Sequence, residues 1–414
     1  MDEIWVTGLG VVTPIGQTVP EFWRSLAGGR SGAAPVTAFS TEGLKTRIGC
    51  EVRGFDAGAR LGAAARDLGR ATAMTLAAAF EALAEAGLAA AAGGAGDPPF
   101  ALAADLDRQA AGVSIGTTLG EPGFLEAMAS ARLDPDPRWA GVTRFPASAI
   151  AEGLAAGLGL RGPLLTLPTA CAAGNYAIAD ATELLRAGEA EVMLAGGADA
   201  FSRSAFIGFA RLHAMSADVC RPFDGERQGL LLGEGAAILV LERAAHARAR
   251  GARPLARVLG VAQSCDGYHI TGPHPEGRGA ARVMAGALAD AGLGPGDVDY
   301  INAHGTGTPH NDRIESLAIR TVFGRRAEQV PVSSIKALTG HTMGAAGAIE
   351  SVASILALRL STIPPTWNFR TPDPDCPLDV VPNAPRPAAL RTVLNNSYAF
   401  GGNNASILFG HVDA

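Results

Sequence analysis

One cysteine, Cys171, stands in the stretch LLTLPTACAAGNYAIADATELL (residues 164–185), between a run of β-like apolar residues and an amphipathic run that reads as a helix. A thiol at the first turn of a helix faces unpaired N–H groups and the positive end of the helix dipole. These stabilise an anion by about 0.3–1 kcal/mol, and by about 2 kcal/mol when partly buried. That setting lowers a thiol's pKa and raises its reactive thiolate fraction. The same N–H groups can hold a carbonyl oxygen that turns negative when sulfur attacks it. Taken alone, Cys171 is equally well read as a small buried residue among alanines. Two histidines change the balance. His304, in NAHGTGTPHND, follows a β-like segment in a loop too rich in Gly and Thr to be plain core; His341, in IKALTGHTMGAAGAIE, follows another. Three strand-to-loop junctions thus each present one chemically useful side chain, and strand ends are where α/β sheets bind ligands. The remaining histidines (213, 246, 269, 274, 310 and 411) have no comparable setting and read as structural or surface groups.

The elements that must carry these groups alternate between strand and helix. IWVTGLGVV reads as a strand, PEFWRSLAGG as a short helix, 63–88 as a long Ala-rich helix and GVSIGTT as a further strand. Strand 164–168, helix 173–187 and strand 191–196 predict a βαβ unit, hence a parallel pair with a right-handed crossover. The second half repeats the style. DVDYINAHGT is a strand ending in a loop, RIESLAIRTVF a helix, VPVSSIK a strand and GAAGAIESVASILALRL a helix suited to burial; TVLNNSYAF and ASILFG close as strands. Residues 89–111 read as a low-complexity surface excursion and Pro-rich 364–387 as a long ordered loop. With no clear linker, two similar α/β halves packed on a common core fit best.

Composition narrows the function. The chain has 414 residues, 48% hydrophobic and 18% charged, with a formal net charge of −6, which argues against general nucleic-acid binding. Any acidic partner must meet a local basic patch. Five cysteines without CxxC spacing suggest a reducing compartment, with neither a disulfide framework nor a zinc site. The start, MDEIWVTGLGVVTP, enters a strand at once, and no run of about 18 apolar residues is expected to span a membrane. A cytoplasmic enzyme is the expectation.

With these motifs in place, the chain resembles the β-ketoacyl-acyl-carrier-protein synthases with a Cys-His-His triad, within the thiolase superfamily. The likeness runs from VTGLGVVTPIG to NNSYAFGGNNASILFG and rests on TACAAG, NAHGTGTPHND, SSIKALTGHTMGAAGAIE and RPFDGERQGLLLGEGAAILVLE. It implies a layered αβαβα fold of two similar halves, 1–256 bearing the cysteine and 257–414 bearing the histidines. Cys171 is then the acylated nucleophile, and His304 and His341 hold the malonyl thioester carbonyl and the enolate left when carbon dioxide departs. Lys336 and Glu350 match polar residues that hold His341, and Asp312 and Glu315 match acidic residues beneath the His304 loop. Thr306 and Thr308 match threonines on the phosphopantetheine arm. Phe400, with Gly401 and Gly402, matches a gate whose N–H completes the oxyanion hole with that of Cys171. Leu119 and Phe206 are expected in the acyl pocket, and Phe201 and Phe209 could add bulk. Arg66 and Arg70, on one helix face by their spacing, are expected to dock the acidic carrier; Ala63 and Asp67 occupy other normally basic places. Ala399 stands where the gate usually begins with Gly, which implies a stiffer loop.

The implied reaction is condensation of a Cys-bound acyl group with malonyl-acyl-carrier-protein, in fatty-acid or polyketide synthesis, with no metal or other cofactor. The implied partners are acyl carrier protein and either a second copy or a chain-length subunit; nucleic acid and membrane are not expected. Rival readings are weaker. GVSIG matches the G-x-S-x-G hydrolase elbow, but the next residues, TTLGEPG, continue as strand and turn rather than helix. GLGVVT lacks the third Gly of a dinucleotide loop. A non-elongating chain-length subunit would lack the nucleophile, and a thiolase would carry a second reactive cysteine near the C-terminus, where NNSYAFGGNN has none.

Overall fold

The structure, a computed structural model, describes residues 3–91, 100–124, 126, 127 and 147–413. Ten strands build the main sheet: β1 (Ile4–Val12), β2 (Ala111–Gly116), β3 (Leu164–Leu167), β4 (Val192–Asp199), β5 (Gly235–Arg243), β6 (Ala256–Cys265), β7 (Tyr300–Asn302), β8 (Val332–Ser333), β9 (Thr392–Tyr398) and β10 (Asn403–Gly410). Their order is β8-β7-β9-β10-β6-β1-β5-β4-β2-β3. It is two wings of one pattern. In the first, β3, β2 and β4 run parallel and β5 and β1 follow antiparallel; β8, β7, β9, β10 and β6 repeat this in the second. The wings meet where Ile4–Val6 of β1 pairs antiparallel with residues 256–258 of β6.

Among the described residues, the longer helices that dress the wings are α1 (Val19–Gly28), α2 (Arg70–Glu85), α3 (Ala149–Leu158), α4 (Ala173–Arg186), α5 (Arg203–Arg211), α6 (Arg278–Asp290), α7 (Pro309–Phe323) and α8 (Ala346–Leu360). Core residues of α4 and α8 pack with strands of both wings, whereas α2 and α3 share a core with the first wing and α6 and α7 with the second. The result is the five-layer αβαβα arrangement. Close approach needs small residues. A Cβ on Gly10 would sit 1.8 Å from the Ala78 carbonyl oxygen of α2, and one on Gly174 2.7 Å from the Ala348 nitrogen of α8.

Three expectations are corrected. The helix expected over 63–88 is interrupted: Gly62–Ala65 makes one 3₁₀ turn, Asp67 takes φ 61°, and α2 begins at Arg70 after Gly69. Alanine periodicity continues through a break that a left-handed residue and a glycine impose. β3 and β4 are parallel but not neighbours, because β2 lies between them and pairs with both. Finally, Met343–Leu360 is long and apolar enough to cross a membrane, yet 89% of it is buried, as the core helix of a layered fold should be. Within the expected excursion 89–111, Ala89–Ala91 pairs with Phe100–Leu102, and residues 92–99 lie outside the described residues.

Candidate active site

Cys171 follows β3 by a short turn. Ala170 takes φ 52°, a conformation costly for a residue with a Cβ, and Ala170–Ala172 make a 3₁₀ turn that runs into α4. His304 follows β7, and His341 follows β8 after the Lys336–Thr339 turn. The three side chains wall one cavity of about 330 Å³. The histidine rings lie edge to face, 5.3 Å apart.

Hydrogen bonds fix each histidine in turn. Glu315, on α7, accepts the N–H groups of His304 and Gly305 at 2.8 Å each. Asp312, one turn earlier, accepts those of Gly307 at 3.2 Å and Phe223 at 2.8 Å, with Arg227 3.8 Å away. Both carboxylates thus brace the His304 loop. His341 is pinned through its backbone: its N–H donates to Leu231 at 2.7 Å, and its carbonyl accepts from Gly233 at 2.9 Å.

Lys336 departs from expectation. Its buried ammonium pairs with Glu350, donates to the His304 carbonyl at 2.6 Å and reaches His304 Nδ1 at 3.4 Å. The Lys336–Glu350 pair therefore holds His304 rather than His341, because the lysine stem leaves its turn toward β7. His341 Nδ1 instead accepts the Met343 N–H at 3.3 Å. Since Nδ1 accepts in both rings, the hydrogen bonds assign the proton of each neutral ring to Nε2.

Electrostatics agree with that assignment. Burial, then the Lys336 charge, holds the pKa of both histidines well below 6.5, with His341 lowering His304 further. They are neutral donors at neutral pH. Burial raises Glu315 to about 8 and Glu350 to about 7, the latter against the pull of Lys336.

The thiol corrects the helix-terminus expectation. Burial pushes Cys171 up to about 12; Lys336 and the N–H groups of Cys171 and Phe400 pull it down, and Asp199 adds to the rise. Desolvation outweighs the dipole. In the unliganded protein, iodoacetamide alkylation of Cys171 should rise about tenfold per pH unit from pH 7 to 10. A plateau near pH 7, read by mass spectrometry of the labelled peptide, would contradict this.

The Phe400–Gly402 turn forms one wall. Phe400 lies in the Phe400–Gly402 turn and stacks on Phe209 of α5, rings 5.6 Å apart. Gly401 and Gly402 take φ 81° and 80°, and their N–H groups donate to Ile270 and Ala399, leaving that of Phe400 for the sulfur. Ala399 is extended at φ −137°. Thr306 and Thr308 line the cavity and hydrogen-bond each other at 2.8 Å.

Other expectations fall outside the cavity. Its apolar wall includes Phe209, Leu212, Ala214, Leu230 and Phe400. Phe206 is one turn deeper, packed on Phe39 and Phe201, and Leu119 stands away with its N–H on Asp199 at 3.0 Å. Arg66 and Arg70 do not share a helix face. Arg66 caps the 3₁₀ turn, whereas Arg70 opens α2 and binds the buried Glu234 carboxylate through Nε at 2.8 Å and Nη2 at 2.7 Å. Arg70 is therefore committed to the fold.

Sequence reasoning missed several cavity residues. His310 and Asn311 line its mouth, although the motif alone marks His310 as structural or surface. Tyr398 walls it beside His304. Asp199 ties the site together from behind, accepting from Thr117 Oγ1 at 2.8 Å, Thr118 N–H at 2.8 Å and Gly344 N–H at 2.6 Å. A carboxylate closing an apolar strand was the only signal for it.

Two mirrored wings with a buried cysteine and two neutral histidine donors at their strand ends define a thiolase-fold condensing enzyme. Comparison with known proteins refines the class. The model of the beta-ketoacyl synthase N-terminal domain matches residues 1–247, and that of the C-terminal domain residues 255–370. The chain belongs to the beta-ketoacyl synthase family, and is thereby an acyltransferase. It is 40% identical to 3-oxoacyl-[acyl-carrier-protein] synthase 2 of Synechocystis sp., over 98% of this chain and 97% of that one. Among solved structures, the ishigamide ketosynthase/chain length factor is 42% identical, with a TM-score of 0.91 and 99% of each chain covered. A type II polyketide ketosynthase solved in complex with its acyl-carrier protein and bound to the hexaketide is 33% identical, with a TM-score of 0.86 and 100% of each chain covered.

Proposed function

We propose that this enzyme extends an acyl chain carried on Cys171 by decarboxylative condensation with malonyl-acyl-carrier-protein. The observation that carries the reading is the convergence of the thiol and two Nε2–H donors on one cavity. In the first half-reaction the Cys171 sulfur attacks an acyl thioester, and the N–H groups of Cys171 and Phe400 hold the oxyanion. The thiol proton leaves with the carrier's thiol. Such transfer is nearly isoenergetic, so oxyanion donors matter more than driving force; one such donor is worth about 2.7–4 kcal/mol in a well-studied protease. In the second, His304 and His341 donate to the malonyl thioester oxygen. The bond to the carboxylate breaks, carbon dioxide leaves and the electron pair becomes an enolate. That enolate attacks the Cys171 acyl carbon, and the sulfur departs and recovers a proton. The test is mass spectrometry of the purified enzyme with acyl and malonyl carriers. Acylation of the Cys171 peptide and a product longer by two carbons support the reading; label elsewhere, or no extension, overturns it.

The fatty-acid and polyketide versions of this reaction share the site, and its relatives include both. A second chain is proposed along β3, an edge strand of the sheet whose Leu164 is 46% exposed. That chain is a second copy or a chain-length subunit; an unpaired apolar edge favours pairing of this kind. Carrier docking is proposed at Arg66, which is exposed. Arg66→Glu should raise the apparent KM for carrier-bound substrates severalfold at low salt, through loss of attraction to an acidic partner. A small N-acetylcysteamine thioester should react as before. Equal loss on both would place Arg66 in the fold rather than at the docking surface.

A further inference from the structure

Tyr398 ends β9, immediately before the Phe400–Gly402 turn. Its side chain walls the cavity, and its ring meets that of His304 edge to face at 5.8 Å. The residue is 7% exposed. Its hydroxyl has no accessible surface and makes no hydrogen bond to any described residue; among the residues that wall the cavity, it is the one side-chain N or O atom in that state. A phenol taken from water without a partner costs stability, and phenylalanine would fill the same space without that cost. The hydroxyl is therefore free to serve a ligand.

The donors already assigned leave one substrate group unserved. The Cys171 and Phe400 N–H groups face the acyl oxygen, and the histidine Nε2–H groups face the malonyl thioester oxygen. The malonyl carboxylate has no cationic donor, because neither Lys nor Arg walls the cavity; its donor must be one of the neutral groups there. A cation there would stabilise the starting carboxylate more than the enolate and slow the loss of carbon dioxide. A neutral donor orients the group without that burden. Burial, with the carboxylates of Glu315 and Asp266, holds the phenol's pKa well above 10, so the proton stays on oxygen.

On the condensation reading above, we propose that the Tyr398 hydroxyl donates a hydrogen bond to the malonyl carboxylate. It thereby holds the breaking carbon–carbon bond across the plane of the thioester carbonyl, where its electrons can pass into the enolate. The hydroxyl has no accessible surface in this structure, so the wall around it must open for the two to meet.

The experiment is Tyr398→Phe, compared with the wild type by kinetics, mass spectrometry and thermal melting. The apparent KM for malonyl carrier should rise about tenfold or more, as for a lost hydrogen bond to a charged group. Acylation of Cys171 by acyl carrier should stay within twofold, and the melting temperature should hold or rise. Unchanged malonyl kinetics would overturn the proposal, leaving the hydroxyl a buried group without a role. A parallel loss of Cys171 acylation would also overturn it, placing Tyr398 in support of the Phe400–Gly402 turn. Failure of the wild type to acylate Cys171 or extend the chain would strike the condensation reading itself, and is scored separately from the variant.

Discussion

Cys171→Ala makes no elongated product yet still releases carbon dioxide from malonyl carrier. The sulfur is needed to hold the acyl group, whereas the enolate oxygen is held by His304 and His341, which the substitution does not touch. Their bracing survives as well, because Glu315, Lys336 and the Leu231 carbonyl hold them from other elements. Condensation should fall by at least about a thousandfold, as when a nucleophile is removed from a catalytic unit. Decarboxylation should persist at a measurable fraction of the wild-type rate. The check is product analysis by mass spectrometry beside carbon dioxide release. Full condensation by the alanine variant, or complete loss of decarboxylation, would contradict the division of labour.

Lys336→Met should damage the protein in two ways that can be separated. Glu350 is 1% exposed and its charge is matched by Lys336. Breaking a buried pair by removing one partner typically destabilises by about 3–5 kcal/mol. The same substitution frees the His304 carbonyl and Nδ1 from their donor, so decarboxylation should fall about a hundredfold. Adding Glu350→Leu removes the stranded carboxylate and should recover most of the lost melting temperature without recovering decarboxylation. Recovery of both would reduce the pair to a packing element. A single variant as stable and active as the wild type would remove the pair from the account.

Much of this site was legible because its chemistry sits in short local motifs. Cys171, His304 and His341 each lie in a loop whose Gly, Ala and Thr content marks a strand end, and the three meet as expected. The failures share a physical cause: each turned on a distance that spacing does not carry. Lys336 lies five residues before His341 yet reaches His304, because the turn at Lys336–Thr339 aims its stem at the neighbouring strand. The spacing of Arg66 and Arg70 implies one helix only if the helix is continuous, and Asp67 breaks it. The thiol's pKa depended on burial, which outweighs a helix terminus and leaves no mark in a motif. Asp199 and Tyr398 were invisible because their roles arise from what packs against them.

The place of β1 bears on how the chain reaches this state. All nine residues of β1 are buried, and its neighbours are β5 and β6, so its nearest partner lies roughly 220 residues further along the chain. At about 5–20 residues per second of synthesis, this strand, apolar but for Thr7, waits roughly ten to forty seconds before that partner exists. Contacts this remote in sequence form slowly, since a long loop must close before they reward it. During the wait IWVTGLGVV is a short, uncharged, β-prone segment of the kind that associates with other chains. Yield in the cell should therefore follow translation rate and holdase supply more closely than it follows the stability of the finished enzyme.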